Sequence, residues 1–581
     1  MSDTHSGIIP NIISNYSDGL VRISCAVTTA KTMIRNVLRI TEPCGTGILT
    51  KIPRAVALQC NAISTSAIDE EYLKPFSSIP APPRWPIIGH LHLFSKRGPY
   101  TFERIYDAYK DFYHQYGPVV RLDLGIKLLL LFNAEDIEKL FAPGIKYPQR
   151  PLFEALRHYR LKRKDLYSCG GLITENGEQW WHLRKAIQFI MHPSFPEIYF
   201  SLHEKVAEDF VQLINQKMDE NGTIPNFLQD IYKFAEEAIG MVCFGKRLGL
   251  LSLDAGNDKE REFGEKLTQA ADDSLKSMAD SLLGFPWWKI FPTPTYKKLV
   301  RSQSFFQSFA AKCIQEAESK LKDPEYHDDG KLELIKRLFE NKNLKYPDIS
   351  LLMTELFEAG FDTTGNALGF LLYNLAKNPG AQESLFRDIM EHSSNGLTGN
   401  TIDNMKYLKA CIQESHRLTP AVGGTARILQ APQVFSGYEV PAGVLCIGMQ
   451  PIISRLEKYF RDPLDFKPER WLDATLTKYE RKSNPYTVMP FSHGVRRCVG
   501  QRFAEQEMRL CIIKIIQNFR VEYDGPEVGT IMRLSLVPDK PLNFKFKPRR
   551  KDEYQRHQEH ATENEQNGTI PINKDLKKDF N

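Results

Sequence analysis

Apolar residues recur every three or four positions between about residue 90 and residue 548, which is the spacing of amphipathic helices. The longest such segment lies between Pro347 and Pro379. At 1.5 Å per residue it would form a helix of about 48 Å, so we expect it to be central and buried. Short β-like stretches interrupt the helices at VVRLDL near Val119, LLLLF near Leu128 and VFSGYEVPAGVL after Pro420, where a hairpin is predicted. The pattern therefore predicts a mainly α protein with small β-sheets.

The two ends of the chain differ from this helical body. Residues 1–65 are rich in hydroxyl residues and carry six basic against three acidic residues. Lys31, Arg35 and Arg39 would share one face of a helix with apolar residues opposite. This composition is typical of a mitochondrial transit peptide, with a flexible arm as the alternative. No apolar run there approaches the roughly 18 residues that span a bilayer. Residues 549–581 are polar without periodicity, so we expect a disordered tail.

A proline-rich segment and the overall composition narrow the remaining possibilities. Clustered prolines within residues 75–90 disfavour helix, so we expect a stiff hinge near the start of one folded domain that spans residues 66–548. A net charge of +5 is too small to indicate nucleic-acid binding. Ten cysteines without paired spacings indicate neither a disulfide framework nor a zinc site.

The stretch FSHGVRRCVG places Cys498 between two glycines and directly after two arginines. This thiol has three interpretations: a catalytic nucleophile, a metal ligand or an ordinary buried residue. A nucleophile needs a base and an orienting group, and only His493 lies nearby. A haem iron needs a single protein thiolate, which the arginines and the amides near Gly494 and Gly500 would help to keep ionised. The fixed spacing disfavours an ordinary buried cysteine.

This stretch resembles the haem-binding loop of the cytochrome P450 family, F-x-x-G-x-R-x-C-x-G, at every fixed position. Other family motifs occur in the expected order, and the resemblance extends from about residue 80 to residue 548. It implies the P450 fold, a triangular helical body with the long central helix over the haem. It also implies haem b as the cofactor, with Cys498 as the axial iron ligand and with Phe491 and Arg496 among the residues that bind the haem.

Further arginines match the propionate-binding positions of this family. Trp180 and Arg184 in GEQWWHLR are spaced i,i+4, so their side chains share a helix face. In the resembling family, such a W-x-x-x-R pair binds a haem propionate, and Arg427 and Arg496 match the other propionate-binding arginines. Propionates bring negative charge into a partly buried site, which requires cations.

AGFDTT, from Ala359 to Thr364, lies in the middle of the predicted central helix. Asp362 and Thr363 are unfavourable there because their side chains compete for backbone hydrogen bonds. The resemblance assigns this pair to proton delivery for cleavage of the O–O bond of dioxygen, and thereby implies a monooxygenase. Two alternatives stay open: a haem-thiolate isomerase or dehydratase that needs no electrons, and a non-enzymatic haem sensor or carrier.

A second set of charged residues is assigned a structural role. Glu414 and Arg417 in ESHR are spaced i,i+3, close enough for an ion pair, and Arg470 follows in FKPERW. The resemblance implies that these three residues brace the core behind the haem loop.

The electron donor is implied by the animal mitochondrial branch of the family. Its members use an adrenodoxin-like [2Fe–2S] ferredoxin, reduced by an NADPH-dependent reductase, and carry cations near E-x-x-R and after the haem cysteine. Lys409 and Arg502 match two of these positions, whereas Gln413 and Gln501 replace the usual cations at the other two. We expect opposite-charge docking of the ferredoxin.

LLGFPWWKIFPTP, residues 282–294, clusters Phe285, Trp287, Trp288 and Phe291 around prolines. Its position matches the family's F–G loop, which dips into the membrane, and aromatic residues suit such an interface. We expect a peripheral contact with the inner mitochondrial membrane on its matrix side. A loop packed in the core is the alternative.

The substrate follows only from likeness within the family. SGYEVPAG and PIISRLEKYFRDPLDFKPERW are similar to arthropod mitochondrial P450s that hydroxylate ecdysteroid precursors, with the 22-hydroxylases as the nearest likeness. These segments are scaffold, so a mitochondrial P450 that oxidises xenobiotics would share them. Small or apolar residues at 421–425, with Phe357 and Ala359, are the expected pocket for a lipophilic steroid.

Overall fold

The computed structural model describes residues 73–550, except for 96, 142–144, 152, 253–257, 283–285, 328 and 473–484. These residues belong to the compact unit Tyr72–Asn581. The predicted transit peptide and nearly all of the predicted tail lie outside the described residues. Within them the chain is mainly helical with several small sheets, which confirms the predicted fold class.

The long central helix is α11, and it dominates the helical part of the protein. The α-helices of the described residues are α1 Ile105–Tyr116, α2 Ala134–Lys139, α3 Glu154–Lys162, α4 Gly177–Ala186, α5 Ser194–Glu197, α6 Phe200–Lys217, α7 Leu228–Phe244, α8 Asp258–Asp280, α9 Pro294–Lys322, α10 Glu333–Glu340, α11 Tyr346–Lys377, α12 Pro379–Ser393, α13 Gly399–Asn404, α14 Lys406–Leu418, α15 Gln450–Ile453 and α16 Gln501–Asn518.

Local sequence explains where the central helix begins and ends. Pro347 lies in the first turn of the helix, where its missing N–H would have no partner within the helix in any case. The Asp348 carboxylate caps this end by accepting a hydrogen bond from the Lys345 N–H at 2.9 Å. The helix ends at Lys377, because the residue before Pro379 disfavours helical backbone. Most of its side chains are buried, as the apolar pattern predicts.

The strands form four small sheets. They are β1 Lys74–Pro75, β2 Val119–Asp123, β3 Lys127–Leu131, β4 Thr223–Ile224, β5 Thr425–Ile428, β6 Gln433–Phe435, β7 Tyr438–Val440, β8 Leu445–Gly448, β9 Phe519–Glu522, β10 Thr530–Met532, β11 Leu536–Pro538 and β12 Phe544–Pro548. The sheet orders are β1-β7-β6, β10-β11, β4-β12-β9 and β2-β3-β8-β5. Ser436 and Gly437, both with positive φ, make the predicted hairpin turn between β6 and β7.

Three apolar clusters form the core, and the central helix contributes to two of them. Leu368 and Leu372 pack with α12, α14 and α16, whereas Leu351 and Phe361 pack with α7 and α9. The third cluster packs α1 against β2 and β3. Asp362 and its neighbours therefore lie on the central helix between two apolar clusters.

The proline-rich segment contains a short 3-10 helix at Phe76–Ser78, a stretch without regular secondary structure at residues 80–84 and a turn at residues 86–88. Pro80 O accepts a hydrogen bond from Arg121 N at 2.9 Å, and Pro82 O lies 2.9 Å from Nε2 of buried His90. Gly89 ends the segment with φ of +60°, and a Cβ there would lie 2.5 Å from Asp123 O, so only glycine fits. A hinge role for this segment stays a prediction.

Candidate active site

A cavity of about 470 Å³ separates the central helix from the loop that precedes α16. Of the predicted site residues, it is lined by Thr363, Arg427, Phe491, Arg496 and Cys498. Of the predicted substrate-pocket residues, it is lined by Ala359, Ala421, Val422, Gly424 and Thr425. Phe357 does not line it, because its ring is fully buried among other aromatic rings. The fold thus gathers most of the predicted residues around one space.

The loop that carries Cys498 is closed by its own backbone. The Cys498 N–H donates to Phe491 O at 2.9 Å, and Ser492 and Gly494 take φ of 60° and 73°. Positive φ at these positions lets the chain turn back on itself within a few residues. A Cβ added to Gly500 would meet no atom within 4 Å, and Gly500 lines the cavity, so this side of the loop has room for a flat ring.

Two backbone amides and one arginine near the Cys498 sulfur favour its thiolate form, against the larger effect of burial. Burial raises the pKa of this thiol, whereas the backbone N–H groups of Gly500 and Gln501 and the charge of Arg184 lower it. These amides belong to the first turn of α16, whose dipole also favours negative charge. His493 packs edge-on against aromatic rings and does not line the cavity, so it is not placed to act as a base for Cys498.

Arg496 is held in place by neutral partners. Its Nε donates to Pro148 O at 2.7 Å, and its Nη2 donates to Glu175 O at 3.0 Å and to Asn176 Oδ1 at 2.6 Å. The guanidinium stacks on the Trp180 ring, 3.9 Å from its centroid. Trp180 therefore supports Arg496 and is not itself among the residues that line the cavity.

Three further arginines surround Arg496 and leave positive charge uncompensated. Burial lowers the pKa of Arg496 to about 8, with further lowering by Arg150, Arg427 and Arg184. Burial and Arg150 lower the pKa of Arg427 to about 10. Nη1 of Arg184, Nη1 of Arg496 and Nε of Arg150 are buried without an acceptor. Buried cations in this state require an anion, and a ligand with two carboxylates would supply it.

Arg150 lines the site but is not predicted as a site residue from the sequence. It lines the cavity, and its Nη2 donates to the carbonyls of Leu172 at 3.4 Å and of Ile173 at 3.0 Å. It belongs to no spaced motif in the chain, and only folding brings it to Arg496. A planar ligand with a metal for the thiolate and carboxylates for these arginines, such as haem, fits the whole arrangement.

Asp362 and Thr363 face different spaces. Thr363 lines the cavity of Cys498, and its hydroxyl donates to Ala359 O at 2.9 Å. Asp362 lines a second cavity on another side of the central helix, where Ser535 Oγ donates to Oδ2 at 2.5 Å and Asn366 Nδ2 donates to Oδ1 at 3.2 Å. Burial raises the pKa of Asp362, against the lowering effect of these two partners.

The structural ion pairs form as the sequence predicts. Arg417 donates to both carboxylate oxygens of Glu414 at 2.9 Å and 2.8 Å, and Arg470 Nε donates to Oε1 at 2.9 Å. Trp471 Nε1 and Lys467 N complete the contacts, each at 2.9 Å. All three charged side chains are buried, so each oxygen of Glu414 is fully partnered.

The predicted donor-docking cations lie at the surface. Lys409 lines a shallow depression of about 260 Å³ together with Gln413, Gln501 and Glu505. Arg502 is exposed beside it, with Nη1 3.9 Å from Glu505. The two expected cations and the two glutamines that replace cations are therefore neighbours on one surface.

The predicted membrane loop is only partly exposed. Leu282, Trp287, Ile290 and Phe291 are 41%, 54%, 67% and 50% exposed. Trp288 is instead buried and stacks on Tyr296, so this part of the loop is packed against the body, as in the alternative interpretation. Phe285 lies outside the described residues. No helix within the described ranges has the length and apolarity that a membrane span needs.

The comparison with known families identifies this chain. Residues 79–547 match the family model "Cytochrome P450", and the chain belongs to the cytochrome P450 family. The family binds haem b through an axial cysteine thiolate, and the residues present fit that group. Cys498 would hold the iron, Gly500 would lie against the ring, and the three arginines that line the cavity, Arg150, Arg427 and Arg496, would bind the propionates. Arg184 is buried beside them but does not line the cavity.

Individual relatives agree with the predicted animal mitochondrial branch. "Cytochrome P450 302a1, mitochondrial" of Drosophila melanogaster is 30% identical over 501 residues, covering 84% of this chain and 98% of that protein. "Ecdysone 20-monooxygenase" of the same organism is 29% identical, covering 81% and 88%. "1,25-dihydroxyvitamin D(3) 24-hydroxylase, mitochondrial" of Rattus norvegicus is 29% identical, covering 91% and 100%.

Proposed function

We propose that the chain is a monooxygenase that inserts one oxygen atom of O₂ into a steroid, an ecdysteroid precursor that it hydroxylates at C22. The observation that carries the proposal is that Thr363 and Cys498 line one cavity whose remaining wall is largely small or apolar. A steroid matches such a wall. Two relatives whose printed names contain ecdysone and vitamin D support the steroid class.

Each part of the site has a task in this reaction. When bound, the haem supplies the activation of dioxygen with donated electrons. Cys498 would hold the iron, and the amides of Gly500 and Gln501 lower the pKa of its thiol against the effect of burial. The arginines of the cavity wall would hold the propionates. The hydroxyl of Thr363, fixed by Ala359 O, holds and passes a proton at the cavity wall. The apolar wall orients the substrate and excludes water.

Reconstituted turnover tests this function. The haem-loaded protein is supplied with NADPH, a [2Fe–2S] ferredoxin and its reductase, isotopically heavy O₂, and a panel of ecdysteroid precursors, other sterols and xenobiotics. We expect a 22-hydroxylated ecdysteroid precursor with one heavy oxygen atom, formed only with reductant. Equal product without reductant would indicate an isomerase. Turnover of xenobiotics alone would overturn the steroid assignment and leave the monooxygenase.

Thr363→Ala is expected to uncouple electron use from product formation. The variant keeps the cavity but loses the hydroxyl that passes protons, so NADPH consumption continues and peroxide is released. Product per NADPH should fall by at least about 10-fold, since a positioned proton donor contributes roughly 10²–10⁴. Thr363→Ser, which keeps the hydroxyl, is the matched control and should stay near wild type. Tight coupling in Thr363→Ala would remove Thr363 from the relay.

We propose that the surface with Lys409 and Arg502 docks an adrenodoxin-like [2Fe–2S] ferredoxin. Both side chains are exposed, and they lie on elements that join the site directly, α14 and the first turn of α16. An acidic partner placed here would be close to Cys498, which α16 follows within a few residues. Opposite-charge docking also predicts that electron transfer weakens as salt is added.

Lys409→Glu tests this docking surface. Charge reversal should raise the KM for ferredoxin by about 10-fold, which corresponds to about 1.4 kcal/mol, with little change in kcat at saturating donor. The salt dependence of the rate should flatten at the same time. Lys320→Glu reverses the charge of another exposed lysine, on α9; it is the control and should leave the KM unchanged. Equal effects of both variants would show that only net charge matters.

We propose that the exposed residues of the 282–294 loop contact the inner mitochondrial membrane from the matrix side. Trp287, Ile290 and Phe291 provide an apolar surface suited to the interface, and several relatives are named mitochondrial. Flotation of the purified protein with phospholipid vesicles checks the contact. Trp287→Ser with Ile290→Ser should reduce binding without changing haem content. Recovery of the expressed protein outside mitochondria would contradict the location.

A further inference from the structure

A second cavity, of about 520 Å³, lies on the side of the central helix that Asp362 faces. Its wall comes from α6, α7, α8, the central helix and the turn between β10 and β11. Several wall residues, such as Glu265 and Lys276, have exposed side chains, so the cavity reaches solvent. At about 30 Å³ per water molecule, the space accommodates a chain of water molecules.

Hydrogen bonds fix the Asp362 carboxylate in the wall of this cavity. Ser535 Oγ donates to Oδ2 at 2.5 Å, and Asn366 Nδ2 donates to Oδ1 at 3.2 Å. Asn366 is itself oriented by the Tyr232 hydroxyl, which donates to Asn366 Oδ1 at 2.8 Å. The carboxylate is therefore held facing the solvent-connected space, while Thr363, the next residue, faces the cavity of Cys498.

Glu236 is the unusual residue in this wall. It lies on α7 one turn after Tyr232, so the two side chains share a helix face. Its side chain is 0% exposed, and Oε2 accepts a hydrogen bond from Thr268 Oγ1 at 2.8 Å. Its Oε1 is buried without a partner. Glu236 belongs to the wall of the polar cavity, so its half-partnered carboxyl group lies close enough to exchange a proton with water there.

The neighbouring Glu237 shows what a purely structural carboxylate looks like in this helix. It is equally buried, yet both oxygens are partnered: Arg247 Nε and Leu248 N donate to Oε2 at 2.9 Å and 3.0 Å, and Leu250 N donates to Oε1 at 2.5 Å. Buried polar atoms are normally satisfied in this way. The half-partnered Glu236 therefore requires a different explanation.

The charge state of Glu236 suits proton transfer near neutral pH. Burial raises its pKa to about 8, and Glu237 adds to this, whereas Thr268 and Lys233 lower it. The ionisable and charged groups that line the same cavity are Lys217 of α6, Tyr232 and Lys233 of α7, Glu265, Asp272 and Lys276 of α8, Asp362 of the central helix, and Arg533 of the β10–β11 turn.

We propose that this second cavity delivers protons from solvent to Asp362, with Glu236 as the group that holds each proton on its way. The inference rests on the proposed monooxygenase function, in which Asp362 and Thr363 pass protons on. The O–H bond of protonated Glu236 breaks, water in the cavity carries the proton, and an O–H bond forms on the Asp362 carboxylate. Bulk water then reprotonates Glu236, and no electrons move in this step.

Glu236→Gln tests the proposal, with Glu265→Gln as the matched control. Both remove a carboxylate from the same cavity wall, but Glu265 is exposed and water replaces it. In Glu236→Gln we expect product per NADPH to fall severalfold, the solvent deuterium isotope effect on turnover to rise, and haem content to stay unchanged. Without turnover, infrared titration of the resting protein should show a protonated carboxyl band with a pKa of about 8 that Glu236→Gln lacks.

The outcomes separate this inference from the proposed function. Asp362→Asn provides the reference, since it should uncouple turnover if Asp362 relays protons at all. If Asp362→Asn uncouples while Glu236→Gln keeps the wild-type isotope effect and coupling, protons take another route and the inference is wrong. If Asp362→Asn has no effect, the relay itself fails. Buried Glu358, with a pKa raised by burial to about 7, also contributes a titrating band. A spectrum of Glu236→Gln that retains every titrating carboxyl band of the wild type would overturn the role of Glu236.

Discussion

Cys498→Ala is expected to abolish both the thiolate spectrum and all measurable turnover. The loop closes through the hydrogen bond from the Cys498 N–H to Phe491 O, and the backbone amides of Gly500 and Gln501 donate to the sulfur. The loop backbone survives the substitution, so the variant loses the axial ligand and keeps the cavity. Absorption spectra of the reduced protein with carbon monoxide, together with product assays, check this result.

A matched cysteine separates ligand loss from general damage. Cys511 is buried on α16, away from the cavity lining. Cys511→Ala removes a buried thiol of the same size and should cost on the order of 1 kcal/mol in stability while leaving the spectrum unchanged. A thiolate spectrum that survives in Cys498→Ala would show that another residue binds the iron, and the central assignment would be lost.

Arg417→Met is expected to prevent stable folding. Burial alone would raise the pKa of Glu414, but the hydrogen bonds and charges of Arg417 and Arg470 keep it lowered. Removing Arg417 leaves the buried Glu414 without its main partner, which typically costs about 3–5 kcal/mol. The Arg417 bonds to Ser454 O and Pro463 O are lost as well. We expect little soluble, haem-loaded protein and a large loss in resistance to heat or urea.

The control for this prediction is Lys467→Met. The Lys467 side chain is half exposed and pairs with Asp462 at 2.8 Å and Asp465 at 3.0 Å, while its backbone N–H keeps its bond to Glu414. Surface pairs of this kind contribute less than about 1 kcal/mol. A stability of Arg417→Met close to that of Lys467→Met would show that the buried ion pairs do not brace the core.

Much of the fold follows from local sequence. The central helix is predictable because Pro347 and Pro379 bound a long apolar segment. The strands near Val119 and Leu128 are predictable because the first alternates apolar and polar residues and the second is wholly apolar. The pair of Glu414 and Arg417 is predictable because both residues lie within one helical turn. In each case the interaction that decides the structure is made between neighbours in sequence.

Other parts of the site depend on contacts that no local pattern contains. Arg150 meets Arg496 only after folding, so no spacing reveals it. The different directions of Asp362 and Thr363 follow from a helix turning about 100° per residue, but the solvent-connected cavity beside Asp362 is formed by separate elements. Trp288 is buried because Tyr296 and His158 pack against it, whereas its neighbour Trp287 stays exposed.

The iron ligand is tested most directly by the absorption spectrum of the purified wild-type protein, reduced and saturated with carbon monoxide. If Cys498 binds the iron, the Soret band will be shifted well to the red, the mark of a cysteine thiolate ligand, and this band will be lost in Cys498→Ala. A Soret band at the position typical of a histidine-ligated haem, in fully folded protein, would contradict the assignment of Cys498 as the iron ligand.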